Sequence, residues 1–144
     1  MLGSALYLEL TGAPEELELE GKLIVDRRVG DFLLGANLVL EREWRLPGPG
    51  AESKLSAIFG AGWHATSRLL VGLELRNRNV FPAGRGLGSS VLYAGPTVAW
   101  AGRGWWGTLA LQPQLGALKG ATTGRLDLDE HERFEARLLL GFFL

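Results

Sequence analysis

The sequence predicts an all-β chain: an antiparallel up-and-down transmembrane β-barrel, with about eight strands visible and an apolar outer face. Three observations carry that expectation. Apolar and polar residues alternate with period two over eight successive segments. Successive side chains of a strand point to opposite sides, so each segment has one greasy and one polar face. Short turns and longer connections join the segments in alternation, as they do in outer-membrane barrels. No uninterrupted apolar run reaches the roughly 18 residues that a membrane helix requires, and a closed barrel is the other architecture that satisfies its backbone in lipid.

The strands follow in order. The first, about 5–11, sets Leu6, Leu8 and Leu10 against Tyr7, Glu9 and Thr11. Gly12, Ala13 and Pro14 form a turn. The second, 16–27, sets Leu17, Leu19, Leu23 and Val25 against Glu18, Glu20, Lys22 and Asp26, and turns at 28–31. The third, 32–44, sets Phe32, Leu34, Ala36, Leu38 and Leu40 against Gly35, Asn37, Glu41 and Glu43; the run Pro47, Gly48, Pro49, Gly50 is a loop. The fourth, 54–63, places Leu55, Ala57, Phe59, Ala61 and Trp63 on the apolar face.

The fifth, 68–78, sets Leu69, Val71, Leu73 and Leu75 against Gly72, Glu74 and Arg76, and a glycine-rich connection follows at 82–88. The sixth, 90–100, sets Leu92, Ala94, Val98 and Trp100 against Tyr93, Gly95 and Thr97. The seventh, 105–116, sets Leu109, Leu111 and Leu115 against Thr108, Gln112 and Gln114. Residues 117–130 are the longest connection, and the eighth strand, 131–143, sets Phe134, Ala136, Leu138, Leu140 and Phe142 against Arg133, Glu135 and Arg137. Pro96 and Pro113 fall inside strands, where each removes a ladder donor. They mark bulges or an edge left open by truncation.

The two faces assign the environment. The apolar face of the central segments carries no Lys, Arg, Asp or Glu, and a charge there costs about 2–4 kcal/mol at a bilayer midplane. The opposite face supplies the expected barrel interior: Glu9, Glu18, Glu20, Lys22, Glu41, Glu74, Arg76, Arg133, Glu135 and Arg137. Acid and base occur there together, which suits either a salt-bridged plug or a polar passage. Phe32, Trp63, Trp100, Trp105 and Phe142 lie at the short-turn ends of their strands, and Trp44 and Phe81 at the other ends. Aromatic girdles occupy such positions at membrane interfaces.

Composition excludes several classes. A chain of 144 residues is one domain, 1–144; net charge is −1 and cysteine is absent. No basic field calls for nucleic acid, and no disulfide or Cys-ligated metal is available. The expected partners are membrane lipid, the barrel-assembly machinery and a small-molecule solute, with no cofactor. Met1, Leu2, Gly3 and Ser4 run straight into a strand with no export signal, so the expectation is a portion of a longer barrel lacking its leader.

No residue set points to catalysis, and the chain is read as no enzyme. His64 and His131 fall at opposite strand ends, too far apart to share a metal, and are expected as polar surface or interfacial groups. Ser67 stands near His64 without an orienting acid. The run Gly84, Arg85, Gly86, Leu87, Gly88, Ser89, Ser90 lacks the Lys and the following helix of a phosphate loop and reads as a hairpin loop.

The stretch Leu17-Glu18-Leu19-Glu20-Gly21-Lys22-Leu23-Ile24-Val25, with Ala36-Asn37-Leu38-Val39-Leu40-Glu41-Arg42-Glu43-Trp44 and His131-Glu132-Arg133-Phe134-Glu135-Ala136-Arg137, resembles a broad group of bacterial outer-membrane barrels of transporter-like or phenol-degradation MetA type. The resemblance spans most of the chain. It implies an outer-membrane location and passage of small organic solutes, and supplies no catalytic residues. Gly141, Phe142 and Phe143 before Leu144 also resemble the C-terminal signal that barrel-assembly machinery reads. The competing reading is a soluble lipocalin-like barrel that binds a hydrophobic ligand, in which the apolar face turns inward.

Overall fold

Period-two alternation is realised as eight antiparallel strands: β1 (Leu2–Ala13), β2 (Glu16–Val29), β3 (Phe32–Arg45), β4 (Ala51–His64), β5 (Leu69–Pro82), β6 (Ser89–Ala101), β7 (Trp105–Lys119) and β8 (Phe134–Phe142). The computed structural model describes residues 2–48 and 50–142. Pro49 of the expected loop, and Phe143 and Leu144 of the C-terminal signature, lie outside the described residues. Each strand pairs with its neighbours in sequence, in the order β1 to β8. Among the described residues there is no helix, and no ladder joins β1 to β8. The architecture is an up-and-down sheet curled into a half-barrel.

The register fixes which residues share a face. Tyr7 pairs with Lys22, Lys22 with Val39, Val39 with Ser56, Ser56 with Arg78, and Arg78 with Val91. That row faces the concave side, where the buried residues gather: Val39, Ile58, Val80, Val91, Tyr93 and Ala110. The alternate rows are apolar and exposed on the convex side. Leu8, Leu38, Phe59, Leu73, Leu138 and Phe142 all point there, Leu73 with 67% and Phe142 with 73% of its surface open.

Curling is visible in side-chain reach. Arg76 on β5 and Glu135 on β8 stand 2.7 Å apart, with β6 and β7 between them. In a flat sheet three inter-strand steps span roughly 14 Å. The sheet bends to bring these ends together.

The prolines sit differently from the edge reading. Pro96 pairs with Leu73, and Pro113 with Phe134, so both strands have partners on each side and neither proline lies at an edge. Between β6 and β7 the ladder shifts register at Ser90/Val91 and at Leu92/Tyr93 and lapses opposite the two prolines. Proline has no N–H to donate, so the pairing gives way there. Gly95 lets the backbones close up: a Cβ on it would fall 1.8 Å from the Leu111 carbonyl oxygen.

Several boundaries move. β1 begins earlier, at Leu2, and takes in Gly12 and Ala13 of the expected turn; β4 begins earlier, at Ala51; β5 runs on to Pro82 and β7 to Lys119. β8 begins later, at Phe134 rather than 131, because the preceding connection is held in place by contacts of its own.

Candidate functional site

The concave face gathers the charged residues. By register, Glu9, Glu18, Glu20, Lys22, Glu41, Glu74, Arg76, Glu135 and Arg137 all fall on it. Arg133 stands apart: it lies in the connection before β8, exposed, and its carbonyl accepts from the Gln114 N–H at 2.9 Å. The continuation of β5 adds Arg78, which the shorter expected strand left at its border.

On the β5 and β8 side these charges are paired across the curl, and on the other wall along or between neighbouring strands. Glu135 takes Arg76 at 2.7 Å and Arg78 at 3.5 Å. Glu74 takes Arg137 at 2.9 Å and also accepts from Gln112. On the other wall Lys22 meets Glu20 at 2.8 Å, and Lys54 bridges Glu43 and Glu52. Tyr7 donates to Glu9 at 2.8 Å.

The two walls differ in sign. β1 to β4 contribute Glu9, Glu18, Glu20, Glu41, Glu43 and Glu52 against Lys22 and Lys54, whereas β5 and β8 contribute Arg76, Arg78 and Arg137 against Glu74 and Glu135. Between them lies a cavity of about 370 Å³ bordered by Glu20, Lys22 and Glu41 on one side and Arg76 and Arg137 on the other. Ion pairs brace one side of the space without filling it. Near its rim, ligand oxygens of Glu16, Glu18 and Glu43 come within 4.8 Å of one another, an acidic group of the kind common without a metal.

The aromatic residues order themselves along the convex face. Phe32 pairs with Trp63, Leu69 with Trp100, and Trp105 with Phe142, so Phe32, Trp63, Trp100, Trp105 and Phe142 stand together at the short-turn end, exposed. Trp44 lies at the opposite end, half-buried, with the Arg42 guanidinium 5.9 Å from its ring. Phe81 shares that end, paired with Ser53.

Two polar groups interrupt the convex face: Arg42, which donates to Ser53 Oγ at 2.6 Å near the Trp44 end, and a patch that had no sequence signal beyond the extra length of β5. The Asn77 side chain donates to Ser90 Oγ at 3.1 Å, Ser90 Oγ donates to Asn79 Oδ1 at 2.7 Å, and the Asn79 amide donates to Asn77 Oδ1 at 2.7 Å. The ring satisfies its own donors and acceptors, which lowers the cost of facing an apolar medium.

The long connection is folded against the end of the sheet. Gln114 holds Asp127 from both sides, its amide donating to the Asp127 carbonyl at 2.9 Å and its oxygen accepting from the Asp127 N–H at 2.8 Å. Tyr93 Oη donates to the Glu132 carbonyl at 3.0 Å. His131 departs from the expected surface position: it is 5% exposed, with Nε2 2.9 Å from Ser89 Oγ. Burial pushes its pKa below the ordinary 6.5, with the nearby Asp127 carboxylate opposing the shift. His64 ends β4 at the other end of the sheet, half-buried, and Ser67 is exposed in the following turn.

A greasy-backed, charge-fronted up-and-down half-barrel is the class of protein that this fold and face define. The chain belongs to a family of unknown function, DUF6662, whose match covers residues 15–144. No curated protein and no solved structure matches it.

Proposed function

We propose that the chain forms the wall of a bacterial outer-membrane β-barrel and lines a polar passage for small solutes. The observation that carries this reading is the polarity of the sheet: apolar side chains stand exposed on the convex face, and charges converge on the concave one. A soluble ligand-binding barrel needs the reverse, with its apolar groups turned in. Strands of 12 to 15 residues in β1 to β7 exceed the roughly 9–11 tilted residues that cross a bilayer. The aromatic row at the short-turn end matches an interfacial girdle.

Among the described residues the outer edges of β1 and β8 have no partner strand. Backbone groups left open in lipid cost several kcal/mol each, on the order of a lost buried hydrogen bond, so further strands or a closing movement must cover them. The opposed acidic and basic walls favour polar or charged solutes in the passage.

The test is expression behind an export signal followed by cell fractionation. Heat-modifiable migration from outer membranes supports the reading, and a detergent-free soluble monomer that binds a fatty ligand overturns it. Single-channel recording in planar bilayers then distinguishes a conducting passage from a braced plug.

A further inference from the structure

At the long-connection end of the sheet, three polar side chains are removed from solvent together. Ser89, the first residue of β6, is 3% exposed; His131 is 5% and Asp127 1% exposed. Ser89 Oγ and His131 Nε2 stand 2.9 Å apart. The other ring nitrogen, Nδ1, has no hydrogen-bond partner among the described residues, and neither has Asp127 Oδ2. A buried polar atom without a partner destabilises the fold. One is a nitrogen able to donate and the other a carboxylate oxygen able to accept, and the two are not bonded to each other.

Backbone geometry holds the group close. Gly120 has φ +89°, and a Cβ on it would meet Asp127 Oδ2 at 2.7 Å and Ser89 Cβ at 3.1 Å. Asp127 Oδ1 is anchored by the N–H groups of Asp129 and Glu130, each at 3.3 Å. A cavity of about 300 Å³ opens beside the group, bordered by Ser89, Asp127, Val80, Pro82 and Arg85.

We infer that Ser89, His131 and Asp127 constitute an acyl-transfer site for a small neutral carboxylic ester. Ser89 is the nucleophile and His131 the general base, and the Asp127 carboxylate, which makes no hydrogen bond to Nδ1 in this structure, favours by its charge the protonated ring that forms during the transfer. Ser89 Oγ bonds to the ester carbonyl carbon while its proton passes to His131 Nε2. The acyl–oxygen bond to the alcohol then breaks, and the departing alcohol takes that proton. Water attacks the acyl-serine with its proton taken by the same nitrogen, the carboxylic acid leaves, and Ser89 regains its proton. Arg85 is the cation on the cavity wall available to the developing oxyanion. Asp129 and Glu130 border the same cavity and repel anionic esters. A neutral imidazole is required of a base, and burial lowers the pKa of His131, which favours that form.

The charges acting on His131 are Asp127, Glu130 and Glu132 from its own connection and Arg78 from β5. Asp127 supports the protonated ring and Arg78 opposes it, which sets the expected pH behaviour of the variants.

The experiment is covalent labelling of the full chain, folded in detergent micelles, with an alkyl fluorophosphonate, and mapping of the adduct by peptide mass spectrometry. The expected result is one adduct on Ser89, with a labelling rate that falls as His131 protonates. Ser89→Ala abolishes it, and His131→Gln slows it by about 100-fold or more. Ser67→Ala leaves it unchanged. Asp127→Asn slows labelling and moves its acid limb to lower pH, a shift that a merely structural Asp127 would not produce. No adduct on the unsubstituted chain, an adduct elsewhere, or a rate independent of pH overturns the proposal. The adduct is mapped on the unsubstituted chain, so a variant that fails to fold does not obscure the answer. The outcome is independent of whether the barrel conducts.

Discussion

Arg76 and Glu135 meet at 2.7 Å although two strands separate β5 from β8. Glu135 also holds Arg78 at 3.5 Å, so one carboxylate ties two guanidinium groups to the terminal strand. The pair is mostly shielded, with side-chain exposures of 15% for Arg76 and 20% for Glu135. Removing Glu135 leaves two cations facing each other in a confined space. Glu135→Ala is expected to destabilise the fold by roughly 1–3 kcal/mol, below the cost of breaking a fully buried pair because water reaches this one. Arg76→Met combined with Glu135→Leu is expected to recover part of that loss. Urea unfolding in detergent micelles measures both.

Leu73 projects from the middle of the convex face and pairs with Ala61 and Pro96. Leu73→Arg distinguishes a membrane from a soluble protein. Facing lipid, the substitution costs about 2–4 kcal/mol and shifts unfolding in lipid vesicles accordingly. Facing water, it stays within about 0.5 kcal/mol, and that result would count against the membrane reading.

The opposed walls make a directional prediction for selectivity. Glu20 and Glu41 border the central cavity from one side and Arg137 from the other. In planar bilayers, replacing Glu20 and Glu41 together with Gln is expected to lower the potassium-to-chloride permeability ratio. Arg137→Gln is expected to raise it. Equal ratios in all three proteins would mean that these residues do not line the conducting path.

Burial of His131 makes stability depend on pH in one direction. Its folded-state pKa is below the ordinary 6.5, so between those two values the unfolded chain binds more protons. The stability held by the neutral ring is complete above about 6.5 and declines as pH falls through that interval. His131→Gln removes this part of the dependence. Chemical unfolding at a series of pH values between 4 and 8, a range set by the titration of histidine at about 6.5, checks the slope.

Gly95 tests the close approach of β6 and β7. A methyl group there meets the Leu111 carbonyl oxygen, a backbone atom with little freedom to move. Gly95→Ala is expected to cost about 1–3 kcal/mol and to speed amide hydrogen exchange in both strands. Exchange followed by mass spectrometry reads the second effect directly.

Most of the fold was legible in the sequence because period two is a local property. The alternation of Phe134, Ala136, Leu138, Leu140 and Phe142 with Glu135 and Arg137 places each side chain on a face whatever the strand pairs with. The same rule puts Glu20 beside Glu41 and Trp63 beside Phe32 once short turns fix the order. The beginning of β8 was less legible. Alternation begins at Arg133 in the sequence, but contacts of Gln114 and Tyr93 with the connection hold residues before Phe134 out of the ladder.

The sequence by itself determined the strands, their up-and-down order and the separation of greasy from charged side chains. Each follows from neighbours a few residues apart. Only the tertiary structure decided how far the sheet curls, which acid meets which base, and that Ser89, Asp127 and His131 converge. Arg76 and Glu135 are 59 residues apart in the chain, and Ser89 and His131 are 42 apart. No local pattern records such distances, because they depend on the accumulated bend of the intervening strands and on where a long connection finds partners for its buried polar groups.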